Sequence, residues 1–273
     1  MTLIFQGLIF FLCFFISSSA HAFTMNTSSA ASFSERPIKI FVTNIECENN
    51  GTTPEDLVSM LGEAISQYWN KAVTSSLKLE VAGLITKSDR FGTDSLCQAG
   101  GAGCRPNPDL QSDSGIIVSC NQNASNFPST GILGITAPNN VSGRQIRSSL
   151  VLINDIPGSS FGDRTRSEQV AILAHEVGHA LGLGHSPVKD SLMFFQSIPT
   201  RRSLGQDDLD GITYLYPQEL GPSACGSLSV LSDDEQNRQG LSFLALLILC
   251  LMLFSFTKRQ TKFLNERTPL RSF

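Results

Sequence analysis

Three of the four histidines in this chain lie within eleven residues, in the segment HEVGHALGLGH at positions 175–185. His175 and His179 are four residues apart, so on a helix they are neighbours. At about 100° per residue they lie opposite a stripe of apolar residues. The stripe consists of Val170, Leu173, Ala174, Val177 and Leu181. The segment therefore predicts a helix that packs one face into a core and directs two imidazoles toward a shared site.

The predicted helix has a start signal and a stop signal. Thr165 and Glu168 form a possible capping box, and Gly182 and Gly184 end the helix. A turn at Gly182 can bring His185 back beside the other two imidazoles. Three protein ligands with one open position are typical of a catalytic zinc site.

Glu176 follows the first histidine and lies near enough to act on metal-activated water without binding the metal. A structural zinc site is the alternative interpretation. Three histidines with an adjacent glutamate favour the catalytic one.

The full pattern H-E-x-x-H-x-x-G-x-x-H resembles that of the metzincin zinc metalloproteases. Further details resemble the catalytic domain of the matrixin branch, the matrix-metalloprotease type. Ser186 directly follows the third histidine, and Met193 lies eight residues after His185, where the methionine of the Met-turn is expected. The segment LGQDDLDGITYLYP, residues 204–217, is similar to the closing helix of matrixin catalytic domains.

The resemblance implies a zinc-dependent metalloendopeptidase that hydrolyses peptide bonds of extracellular or cell-surface proteins. His175, His179 and His185 would be the zinc ligands, and Glu176 would be the general base that acts on metal-activated water. Two other functions stay open: a binding module without catalysis, and a zinc hydrolase of substrates other than peptides.

Strand and helix patterns also indicate a layered domain that mixes both element types. A helix is predicted from Thr53, and the predicted strands are residues 37–47, 76–87, 115–120, 131–138 and 148–155. The resemblance makes this an α+β fold: a twisted, mostly parallel five-stranded sheet with two long helices, an active-site cleft and a small C-terminal subdomain containing the Met-turn and closing helix.

Two segments should contact substrate if the resemblance holds. Residues 131–136 would be an edge strand that binds an extended peptide by backbone hydrogen bonds. Residues 194–204 would shape the pocket for the side chain after the scissile bond. A strand and loop without substrate contact are the alternative. Met193 is expected to pack beneath the metal and not to bind it.

The chain also departs from the matrixin pattern. The predicted domain has no histidine upstream of the active-site helix, so we expect no second, histidine-bound zinc. Calcium is possible but unsupported, with Asp155 and Asp163 as weak candidates. Phe195 stands where a proline is usual near the Met-turn. No cysteine lies between Ala22 and Pro37, so we expect no counterpart of the propeptide cysteine that blocks zinc.

The N-terminal residues 1–22 are predicted to be a signal peptide. An apolar run at residues 8–16 precedes a small-x-small site, Ala20-His21-Ala22, which fits cleavage after Ala22. No Lys or Arg precedes the apolar run. An uncleaved membrane anchor is therefore the alternative.

The C-terminal part predicts a membrane anchor. Between Arg238 and Lys258 lie nineteen uncharged residues, about 28 Å of helix, which matches a bilayer core. The tail after them has five basic residues and one acidic residue, which places it in the cytoplasm. A plain single-pass anchor and a bacterial surface-sorting signal remain alternatives.

The predicted organisation runs from signal peptide to tail. Its parts are a signal peptide (1–22), a short N-terminal segment (23–36), the matrixin-like domain (37–218), a stalk (219–240), a transmembrane helix (241–257) and a basic tail (258–273). Residues 23–240 carry 15 Lys or Arg and 23 Asp or Glu, a net charge of −8. This charge argues against nucleic-acid binding. The expected partners are a protein or peptide substrate and the membrane, with the catalytic domain outside the cell.

Cysteines in the external part are disulfide candidates. Cys97 and Cys104 flank the segment QAGGAG, which is flexible enough to close into a disulfide loop; two free thiols are the alternative. In the sheet that the resemblance implies, the strands ending at Cys47 and Cys120 are parallel neighbours, which implies a second pair. Cys225 would then be left over.

Overall fold

One sheet organises the part of the chain that the structure describes, a computed structural model covering residues 23–98, 104–196 and 202–218. Its strands follow the order β1-β6-β4-β2-β3, and β5 pairs with β6. Every pairing is parallel except that of β5 with β6. The strands are β1 (Ser32–Phe33), β2 (Ile38–Thr43), β3 (Leu79–Ile85), β4 (Gly115–Asn121), β5 (Gly134–Ser142) and β6 (Gln145–Asn154).

Two of the helices are long, as predicted. The described helices are α1 (Pro54–Gln67), α2 (Arg90–Thr93), α3 (Arg166–Ala180) and α4 (Gln206–Leu215), with 3-10 turns at Trp69–Lys71 and Pro108–Leu110. A mostly parallel sheet together with α1 and α3 confirms the α+β fold class.

Reciprocal capping boxes start both long helices. Thr53 and Asp56 cap α1, and Thr165 and Glu168 cap α3. Pro54 occupies the first turn of α1, where its missing N–H costs no hydrogen bond. These local signals explain why both helix starts could be predicted from the sequence.

Apolar residues cover both faces of the sheet. Consecutive residues of β4 and β6 are apolar, and successive side chains on a strand point to opposite faces. On one face, the side chains of Ile116, Val118, Val151 and Ile153 belong to the cluster that also holds the apolar stripes of α1 and α3. On the other face a smaller cluster gathers Ile117, Leu150 and Leu152 with residues from α2 and the loops, among them Phe91 and Phe127. The active-site helix therefore rests on a filled core.

The sheet has one strand more than the predicted five. Ser32 and Phe33 pair in parallel with Gln145 and Ile146 of β6. The start of β6 extends beyond its pairing with β4, which begins at Ser148, and the N-terminal segment bonds to this exposed stretch. The predicted segment 23–36 is thus partly built into the sheet.

Other element boundaries also differ from the predictions. The strand predicted at 131–138 begins only at Gly134 and continues to Ser142. The next strand starts at Gln145 and not at the predicted residue 148, so only Gly143 and Arg144 separate the two strands of a tight hairpin. Gly143 supplies the positive φ of 60° at its tip.

Both predicted disulfides are present. Cys47 and Cys120 are joined with their Cα atoms 5.3 Å apart, and Cys97 and Cys104 with theirs 5.0 Å apart. The first bond follows from the sheet, because β2 and β4 are parallel neighbours. Cys225 lies outside the described residues.

The predicted signal peptide, stalk, transmembrane helix and tail all fall outside the described residues. Within the described part, no helix is long and apolar enough to cross a membrane. The predictions for the two ends of the chain therefore stay predictions.

Candidate active site

The site is built on α3 and on the loop that follows it. The predicted stripe of α3 is fully buried, while His175 and His179 are only partly buried and His185 is exposed. The ligand atoms of these three histidines lie within 4.8 Å of one another. The structure thus brings together all three histidines that the sequence singled out.

A glycine lets the third histidine return to the other two. The helix ends at Ala180, and Gly182 has a φ of 111°, which favours glycine. A Cβ at this position would also lie 2.6 Å from the carbonyl oxygen of Ala31. Both the backbone angle and the close approach of the N-terminal segment require glycine here.

Backbone carbonyls orient two of the imidazoles. His175 Nδ1 lies 2.7 Å from the Leu192 oxygen, and His179 Nδ1 lies 2.8 Å from the Leu183 oxygen. A carbonyl can only accept, so each Nδ1 carries the proton and the lone pair of each imidazole is on Nε2. This is the tautomer that a metal-binding histidine needs.

Zinc fits the spacing of the nitrogens. His179 Nε2 and His185 Nε2 are 3.2 Å apart. Two nitrogens at tetrahedral positions, each about 2.05 Å from zinc, are about 3.3 Å apart. Burial, followed by the neighbouring His175, lowers the pKa of His179 to about 4. At neutral pH this imidazole is therefore in the neutral form that binds metal.

Glu176 lies beside the triad with its side chain turned into the cleft wall. Only 7% of the residue is exposed. Burial raises the pKa of its carboxyl group above the ordinary value, and the histidines and a hydrogen bond from Thr136 oppose that rise. Thr136 Oγ1 donates to Glu176 Oε2 over 2.6 Å. A raised pKa makes this carboxylate a stronger proton acceptor than an exposed glutamate.

Comparison with known proteins agrees with this geometry. The sequence model of the matrixin family matches residues 67–217, which is more than half of the chain. The chain belongs to the matrixin family. The match begins at the end of α1 and includes all three histidines, Glu176 and the closing helix α4.

Several curated proteins are similar over shorter stretches. Metalloendoproteinase 5-MMP of Arabidopsis thaliana is 40% identical over 75 residues, which are 27% of this chain and 20% of that protein. Matrix metalloproteinase-25 of Homo sapiens is 45% identical over 64 residues, 22% of this chain and 11% of that protein. Stromelysin-2 of Rattus norvegicus is 47% identical over 49 residues, 16% and 10% of the two chains. The matched stretches thus span a fifth or less of these relatives.

The Met-turn of this matrixin packs beneath the active-site helix. Met193 is 2% exposed, and a Cβ at Gly178 would collide with its Sδ atom. Gly178 lies between the two helical histidines, so its missing side chain lets the turn approach them. Met193 therefore packs below the site, as expected.

Asp208 fixes this turn from α4, a role that the sequence analysis missed. Its carboxylate accepts hydrogen bonds from the backbone N–H of Leu192, Met193 and Gly205 and from the Ser191 hydroxyl, over 2.5–3.0 Å. The Leu192 carbonyl in turn holds His175. The available sequence signal was an acidic residue at the start of the predicted closing helix.

The N-terminal segment lies against the histidine loop, a second feature that the sequence did not show. Thr24 Oγ1 donates to the His185 carbonyl over 2.6 Å, and Gly184 N–H donates to the Thr24 carbonyl over 2.8 Å. Asn26 bonds to the Gly182 oxygen through its N–H and to the His179 oxygen through its side chain. The segment thus supports the loop that carries the third histidine.

A cleft of about 550 Å³ surrounds the triad. One wall comes from β5 and the residues before it, including Leu133 and Ile135, and another from Leu192 to Gln196. Phe195, which stands where matrixins usually have proline, is 58% exposed at the rim and contacts the buried Phe194 ring. Residues 197–201 of the expected pocket segment lie outside the described residues.

The structure gives no support to a calcium site. Asp155 is buried, and its carboxylate accepts hydrogen bonds from the N–H groups of Asn49 and Asn50 and from the Gln122 side chain. Both carboxylate oxygens of Asp155 are thus engaged by protein donors. In the described ranges, the histidine triad is the one cluster of three or more His, Cys, Asp or Glu placed to share a metal, and neither Asp155 nor Asp163 joins such a cluster.

Proposed function

We propose that this matrixin is a zinc-dependent metalloendopeptidase of extracellular or cell-surface proteins. The observation that carries the proposal is the convergence of three imidazoles beside a buried glutamate in an open cleft. Membership of the matrixin family supports it, as do the names of the similar proteins, which are metalloendoproteinases and matrix metalloproteinases.

The proposed roles follow from the donor atoms. His175, His179 and His185 hold the zinc through their Nε2 atoms. Zinc, when bound, activates water and polarises a peptide carbonyl. Glu176 accepts the proton of the attacking water and returns it to the departing amine. No calcium is assigned.

An extended peptide is the substrate that the cleft favours. Strand β5 pairs with β6 along one side, and no described strand pairs with its other side. Such an edge can bind a peptide by main-chain hydrogen bonds. This edge favours a peptide over the small molecule that another class of zinc hydrolase would use. We also propose that the pocket near Phe194 receives the side chain after the scissile bond.

The location of the enzyme is proposed from the sequence of its ends. Residues 1–22 direct export, residues 219–240 form a stalk, and residues 241–257 cross the membrane once. Residues 258–273 lie in the cytoplasm because of their basic charge. The two disulfides in the structure fit an oxidising exterior.

The Glu176→Ala variant tests the mechanism. It should bind zinc as tightly as the parent protein, because Glu176 is not among the metal ligands. It should cleave peptides about 10²–10⁴-fold more slowly, because the proton acceptor is gone. A peptide-library digest measures the cleavage, and competition with a chelator measures zinc binding. Parent protein that binds zinc and cleaves no peptide would favour the binding-module alternative, and activity surviving in the variant would refute the role of Glu176.

A further inference from the structure

We propose that Thr136 and Gly134 of β5 are positioning residues that hold the Glu176 carboxylate in one orientation. This inference rests on the proposed peptidase function. It adds two positions on the edge strand that act on the general base: the Thr136 hydroxyl and the missing side chain of Gly134. Because residues 134 and 136 are two apart on a strand, they project from the same face.

The first half of the arrangement is a hydrogen bond. The Thr136 hydroxyl donates to Glu176 Oε2 over 2.6 Å, between residues 40 positions apart in the chain. Thr136 itself is held in register, because it pairs with Val151 in the β5–β6 ladder. The hydroxyl therefore occupies one carboxylate oxygen from a rigid element.

The second half is a missing side chain. A Cβ at Gly134 would lie 3.0 Å from Glu176 Cδ and Cγ and 3.1 Å from Oε1. The φ of Gly134 is not positive, so the backbone does not require glycine there. The space above Gly134 is instead filled by the glutamate side chain, with Oε1 on that side.

Together the two positions give the carboxylate oxygens different tasks. Oε2 is bound by Thr136, and Oε1 is left as the atom that takes the proton. Without the hydroxyl the carboxylate can rotate, and with a methyl group at position 134 it must shift by a few tenths of an ångström. A displacement of about 1 Å at a reacting group can cost about 10²-fold in rate.

The test compares Thr136→Val, Thr136→Ser and Gly134→Ala in the full chain. Thr136→Val keeps the shape and removes the hydroxyl, and we expect kcat to fall about 10- to 100-fold, with KM and zinc affinity changed less than about threefold. Thr136→Ser restores the hydroxyl and should keep kcat within about threefold of the parent. Gly134→Ala should lower kcat without removing any donor. The matched control is Thr93→Val, at an exposed threonine of α2.

A double-mutant cycle with Glu176→Gln shows whether Thr136 acts through the glutamate. Thr136→Val should cost little further activity once Glu176 is replaced. The proposal is overturned if Thr136→Val keeps kcat within about twofold, if Thr136→Ser is as impaired as Thr136→Val, or if zinc affinity falls together with kcat. Failure of the peptidase function itself is separate, since it would appear as a parent protein without activity.

Discussion

At the scale of single residues, the site depends on side chains that touch neither metal nor substrate. Asp208 bonds to the turn of residues 191–193, and the Leu192 carbonyl of that turn orients His175. One carboxylate on α4 thus determines where an imidazole on α3 points. Such partners of metal ligands typically affect metal affinity 10- to 100-fold.

Replacing Asp208 with Asn should therefore weaken zinc binding. The amide keeps one acceptor oxygen and turns an NH₂ group toward backbone N–H donors, so at least one hydrogen bond is lost and donors face one another. We expect zinc affinity to fall about tenfold and the melting temperature to drop. Chelator competition and thermal unfolding measure the two effects. Asp210→Asn, on the same helix and exposed, is the matched control; equal losses in both variants would contradict the role of Asp208.

At the scale of elements, the N-terminal segment (residues 23–36) packs against the loop that carries His185 and supports it. Its residues bond to the backbone of the loop that carries His185 and add β1 to the sheet. Asn26 lines one side of the cleft, next to the histidines. The sequence alone left open whether this segment inhibits.

Chains that begin at Phe23 and at Arg36 distinguish support from inhibition. The shorter chain loses β1 and the hydrogen bonds to the histidine loop. We expect lower zinc affinity, lower thermal stability and lower peptidase activity. Isothermal titration calorimetry measures zinc affinity, thermal unfolding measures stability, and a peptide digest measures activity. A large gain in activity on shortening would show that the segment inhibits.

The elements that the sequence predicted are those specified by local signals. The capping box, the apolar stripe and Gly182 all lie within the segment that they define, so α3 and its histidines could be predicted. The bond between Thr136 and Glu176 spans 40 residues and depends on how β5 packs against α3. A strand as short as β1 has no pattern of its own, because its two residues pair only where the start of β6 is exposed.

At the scale of the whole molecule, the proposed anchor sets where the domain works. We expect the full chain to sediment with membranes and to resist extraction by high salt. A chain that ends at Gly240 lacks the uncharged stretch and should remain in the supernatant with its activity intact. Fractionation and immunodetection measure both. Recovery of the full, uncut chain in the supernatant would contradict the anchor.

The two disulfides have a consequence for the order in which the chain matures. Of the four cysteines in these disulfides, Cys47 is synthesised first, and its native partner Cys120 follows 73 residues later, after Cys97 and Cys104. Two wrong partners are thus available to Cys47 before the right one. Cys97 and Cys104 are only 7 residues apart, and loops of this size close in about 10–100 ns. We infer that oxidation of that short loop, when it precedes the synthesis of Cys120, would remove both competitors and so protect the pairing of Cys47.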